Sequence, residues 1–112
     1  MSKGQSRPED ILAIAGQWQD QGSAVAIATV VQTWGSAPQP AGSKLVINAD
    51  GRFEGSVSGG CVEGAVVFEA QSVIENGKSK LLSFGVSNDD ARSLGLVCGG
   101  SIRVYVEPLA RH

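Results

Sequence analysis

The run Ala24-Val25-Ala26-Ile27-Ala28-Thr29-Val30-Val31-Gln32-Thr33-Trp34 limits the possible folds of this chain more than any other stretch. It is β-branched on one parity and apolar on most of the other, which predicts a strand in the middle of a sheet with both faces covered. Ser6-Arg7-Pro8-Glu9 begins one of the covers. It combines a capping hydroxyl, a proline in the first turn and a glutamate three residues after the cap. Ile11, Ile14, Ala15 and Trp18 then recur at helical spacing, and Gly22 supplies a stop.

After the central strand, Gly35 to Ser43 is too rich in Gly and Pro to be anything but loop. Leu45-Val46-Ile47 and Arg52-Phe53-Glu54 read as two short strands joined across Asp50-Gly51. A second helix is expected after Gly60, with Val62, Val66, Ala70, Val73 and Ile74 as its apolar stripe. Glu63, Glu69, Gln71 and Glu75 are expected to face outward, and Asn76-Gly77 to end it. Leu81 to Phe84 reads as a strand, followed by a polar loop from Gly85 through Ser93. Asp89 and Asp90 in that loop more often cap a short helix or face water than bind a divalent ion. Ile102, Val104 and Val106 alternate with Arg103, Tyr105 and Glu107, which predicts a strand with one buried face, nearer an edge than the first and stopped by Pro108.

Chemistry is expected first in Gly55-Ser56-Val57-Ser58-Gly59-Gly60-Cys61-Val62-Glu63-Gly64. Adjacent glycines allow a sharp turn with bare backbone, and the helix that follows adds N–H donors and a positive dipole end. Such surroundings suit phosphate, carboxylate or thiolate, and would lower the pKa of a cysteine in the first turn. Val97-Cys98-Gly99-Gly100-Ser101-Ile102 echoes Val57-Ser58-Gly59-Gly60-Cys61-Val62, with cysteine and serine exchanged across the glycine pair. Both cysteines of the chain thus sit beside a Gly-Gly pair. The candidate ligand-binding residues are Ser58, Gly59, Gly60, Cys61, Cys98, Gly99 and Gly100.

At 112 residues with 42% hydrophobic content, a single domain spanning 1–112 is expected to fold without disulfide staples, with residues 1–5 disordered. A formal net charge of −2 and the lack of a Lys/Arg cluster argue against a nucleic-acid surface. No apolar run approaches the roughly 20 residues that span a bilayer, and the polar start lacks a signal-peptide core. A cytoplasmic protein with reduced cysteines is the expectation. With His112 the sole histidine, no metal site is expected.

Thr33-Trp34-Gly35-Ser36-Ala37-Pro38, Gly55 through Glu63, Gly95-Leu96-Val97-Cys98-Gly99-Gly100 and the closing Val106-Glu107-Pro108-Leu109 together resemble the XdhC/CoxI family. The resemblance implies a molybdenum cofactor chaperone rather than an independent enzyme. Such a protein binds molybdopterin transiently, assists its sulfuration with a cysteine desulfurase, and delivers it to the apo-form of a molybdenum hydroxylase such as xanthine dehydrogenase or carbon monoxide dehydrogenase. It also implies that the cysteine motifs fall on Cys61 and Cys98. Two features depart from the family pattern: Gln39 stands where an arginine is usual, and the sequence ends without the C-terminal Rossmann-type domain of longer members. The fold expected is an α/β domain, a mixed β-sheet with two main helices and both Gly-Gly turns at one end, working as a homo-oligomer, a dimer. From the residues alone, two other readings stay open. One is a thiol redox or sulfur-carrying protein using Cys61 and Cys98. The other is a non-catalytic assembly module that pairs through a strand edge.

Overall fold

The computed structural model describes residues 8–35, 39–60, 62–85 and 101–109. Along the chain these form α1 (Pro8–Asp20), β1 (Val25–Trp34), β2 (Lys44–Asn48), β3 (Phe53–Gly55), α2 (Glu63–Asn76), β4 (Lys80–Phe84) and β5 (Ser101–Pro108). The strands form one sheet in the order β3-β2-β1-β5-β4, so the strand expected at the centre is at the centre.

Its two parities meet two different helices. Ala26, Ala28 and Val30 pack with Leu45, Ile47, Ile102, Val104 and Val106 beneath Val66, Ala70 and Val73 of α2. Val25, Ile27 and Val46 face the other way, onto Ile11, Ala15 and Trp18 of α1. Each fully buried valine, leucine or isoleucine in these layers contributes about 1.5–3 kcal/mol relative to exposure. Ile47 is fully buried, and cutting it to alanine would cost about 2–5 kcal/mol. Trp18 is packing, as expected, with the Arg52 guanidinium 5.1 Å from its ring centroid.

The α/β architecture with two main helices is the expected one, while the sheet is antiparallel at each of its four pairings rather than mixed. The reason lies in what α2 connects. A helical crossover joins strands of like direction, and β3 and β4 do run the same way. They occupy opposite edges, however, and β2, β1 and β5 lie between them. β5 has one row of fully buried residues and lies nearer an edge than β1, as its alternation predicted; β4 covers its outer side.

Local chemistry sets the ends of the elements. The Asn48 side-chain carbonyl accepts from the N–H groups of Asp50 and Arg52, both at 3.0 Å, and this turn carries the Asp-Gly pair between β2 and β3. The Gly77 N–H donates to the Val73 carbonyl at 2.9 Å and closes α2 where expected. In β1 the register shifts between Val30 and Gln32, and the extra residue, Val31, is exposed. The pairings Thr29 with Lys44, Leu45 with Gly55, Trp34 with Ser101 and Phe84 with Ile102 define one end of the sheet. The chain leaves β3 toward the first glycine pair at that end, and β5 starts there. The Ser6 cap, the disorder expected for residues 1–5 and the loop carrying Asp89 and Asp90 lie outside the described residues.

Candidate functional site

The site grows from Gly55, the last residue of β3. Its φ of +99° lies in the left-handed region, and a Cβ there would run into the Lys44 carbonyl oxygen and come within 2.8 Å of Ile11 Cδ1. Only glycine lets the chain turn off the sheet this close to β2 and α1. Gly60, with φ of +108°, makes the second sharp turn, into the head of α2.

Between these turns the loop closes around one side chain. The N–H groups of Val57 and Ser58 donate to Glu63 Oε2 at 2.8 and 2.9 Å, and the Ser56 hydroxyl donates to the same oxygen at 2.8 Å. The other oxygen, Oε1, accepts from the Ser58 hydroxyl at 2.5 Å and from the Gly60 N–H at 2.9 Å. The serine oxygens accept in turn: Ser58 Oγ from the Val62 N–H at 2.9 Å, and Ser56 Oγ from the Gly59 N–H at 2.7 Å and Gln39 Nε2 at 3.4 Å. Glu63 does not face outward as its place in the helical pattern predicted; it is 6% exposed. The carboxylate turns back into the loop because the loop offers more donors than any other polar side chain there can use. Burial raises its pKa, but the hydrogen bonds from Ser58, Val57 and Ser56 outweigh burial and bring it from 4.5 to about 2. The group is ionised throughout the physiological range.

Beside this loop lies an open cleft of about 490 Å³, lined by Gln39, Phe53, Gly55, Ser56, Gly59, Gly60, Glu63 and Gly64. That volume falls within the roughly 300–1,000 Å³ usual for small-molecule sites. Phe53 forms one wall and is substantially exposed for a phenylalanine. Gly64 sits in the first turn of α2, and a Cβ added there would meet nothing within 4 Å. Helical backbone favours alanine over glycine by about 1 kcal/mol, so neither conformation nor crowding calls for glycine at this position. Its effect is to leave that part of the cleft as bare backbone.

Of the residues expected to bind ligand, Ser58, Gly59 and Gly60 lie together in this loop, Gly59 and Gly60 lining the cleft and Ser58 buried beneath it. Cys61, Cys98, Gly99 and Gly100 lie outside the described residues. The N–H groups expected to face an external anion are engaged within the loop, on Glu63 and Ser56. Sequence reasoning missed Glu63, although a signal was present: a glutamate three residues after Gly60 at a helix start has the spacing of the back-reaching half of a capping box. It also missed Phe53 and Gly64 as cleft residues, which lie on different elements, β3 and α2, and reach one cleft only through the tertiary fold. Among the described residues, no group of three or more acidic, cysteine or histidine side chains is placed to hold a metal ion. No helix among them is long and apolar enough to cross a membrane.

Residues 18–85 match the XdhC and CoxI family. The chain is 34% identical over 99 residues to the molybdenum cofactor insertion chaperone PaoD of Escherichia coli (strain K12), covering 88% of this chain and 31% of that protein. It is 35% identical over 95 residues to a probable xanthine dehydrogenase subunit from Bacillus subtilis (strain 168), covering 83% of this chain and 28% of that one. The chain therefore spans less than a third of either relative. A crystal structure described as a xanthine dehydrogenase from Bacillus halodurans shares the fold, with a TM-score of 0.73 and 23% identity over 94% of this chain and 31% of that one.

Proposed function

The chain belongs to the XdhC and CoxI family, and from that premise we propose that this domain holds the molybdenum cofactor as cargo during maturation of a molybdenum hydroxylase. The observation that carries the reading is the braced loop beside an open cleft. Gly59 and Gly60 present backbone to that cleft, and Gly60 and Val62, on either side of Cys61, are each fixed by a hydrogen bond. A loop held this way suits a site that must accept a preformed ligand and release it again, because little ordering is left to be done on binding. The relative named as a molybdenum cofactor insertion chaperone supports the choice of cargo.

The cargo brings a dithiolene-bound metal, for which a soft thiolate is an apt neighbour. In this reading Cys61 supplies one thiolate. β5, which Cys98, Gly99 and Gly100 precede in the chain, starts at the same end of the sheet, and in this reading Cys98 supplies a second. Binding is transient, sulfuration draws on a cysteine desulfurase, the recipient is the apo-hydroxylase, and the chaperone works as a dimer in the cytoplasm.

The test is retention of molybdenum cofactor by the purified protein on a sizing column. Wild type retains it, and a Cys61→Ala, Cys98→Ala double variant loses most of it. Equal retention by the double variant would remove the thiolates from the site, and no retention by wild type would contradict cofactor handling.

A further inference from the structure

Glu63 stands at the head of an amphipathic helix, where a carboxylate could lie in water at no cost. It is buried instead, and it gathers three backbone N–H groups and two hydroxyls onto its two oxygens. Successive N–H groups converging from a glycine-rich turn onto a helix start form the concavity that binds phosphate in many proteins. Here the N–H groups of Val57, Ser58 and Gly60 point at an oxygen pair that the chain itself supplies.

We infer that Glu63 is a built-in anion, its carboxylate standing where a ligand phosphate would otherwise sit. The nest is therefore closed to the cargo, and Glu63 is a positioning residue that holds the loop in one shape beside the cleft. The cargo then meets the outer, bare-backbone surface of Gly59, Gly60 and Gly64, and its phosphate is held outside the nest. This deepens the cofactor reading and rests on it only for the identity of the cargo; the occupancy of the nest stands on the geometry of the loop alone.

The experiment follows the amide resonances of Val57, Ser58 and Gly60 in the ¹⁵N-labelled chain. Inorganic phosphate titrated into wild type leaves them in place, and phosphate that shifts all three would overturn the inference. In Glu63→Ala the nest is emptied. Acetate then shifts the same three amides and raises the melting temperature relative to chloride at equal ionic strength, while wild type shows neither response. A variant as stable as wild type and indifferent to acetate would also overturn it. Should the variant fail to fold, the wild-type phosphate titration decides by itself. Adding molybdenum cofactor to wild type separates the two readings. Binding with the nest amides unmoved supports both, and binding that moves all three overturns only the closed nest. No binding overturns only the cofactor reading, since the phosphate titration still decides the other.

Discussion

Gly55 and Gly64 line the same cleft for opposite reasons. At Gly55 the backbone is left-handed and a side chain would strike the Lys44 carbonyl and the Ile11 side chain, so the fold itself requires glycine. At Gly64 the backbone is helical and the space above it is open, so the fold would be better served by alanine. The difference separates a glycine that builds the site from one that keeps it accessible. Glu63, between them in the chain, fixes the loop that joins the two.

The largest effect is expected at that brace. Glu63→Ala strands five donors, at least three of them on buried residues, and a buried unsatisfied donor costs about 1–3 kcal/mol. Even with water repairing part of the loss, urea denaturation should show a destabilisation of about 3 kcal/mol or more. The same interaction sets a pH dependence. The Glu63 pKa falls from 4.5 to about 2 on folding, so its contribution is complete above the unfolded value and is lost as pH drops from there through about 2. The full span is about 3 kcal/mol, and Glu63→Gln should flatten the stability profile between those limits. An unchanged profile in that variant would mean the carboxylate is not the titrating group.

Gly55→Ala comes next, at roughly 2–3 kcal/mol destabilising, from left-handed strain and overpacking together. A loss under 1 kcal/mol there would break the contrast with Gly64 from one side. Smaller again is Gly64→Ala, which should raise stability by about 0.5–1 kcal/mol. At the bottom, Lys80→Ala removes a half-exposed ion pair with Glu69 and should change stability by no more than about 0.5 kcal/mol.

Periodicity made much of this fold legible. The double-sided run of β1 announced a central strand, and the stripe from Val66 to Val73 announced a covering helix. Sheet order was not legible, because nothing local in β5 shows that it enters between β1 and β4 rather than at an edge. Antiparallel pairing throughout was hidden for the same reason: α2 joins the two edge strands across β2, β1 and β5, and its length alone does not reveal how many strands it passes. At the site, glycine spacing located the loop, but the use of its donors was misread. Helical patterning assigns every charged residue off the stripe to water, and it does not weigh the pull of several converging N–H groups on the nearest carboxylate. Phe53 on β3 and Gly64 on α2 line one cleft only through the tertiary fold, which no local pattern encodes.

If the open backbone at Gly64 exists for a ligand, one paired measurement on Gly64→Ala shows it most directly: thermal unfolding and molybdenum cofactor retention on the same preparation. The expected result is a melting temperature equal to or above that of wild type together with cofactor retention reduced about tenfold, equivalent to about 1.4 kcal/mol of lost binding. Retention equal to wild type in a variant that is at least as stable would contradict a ligand role for that surface.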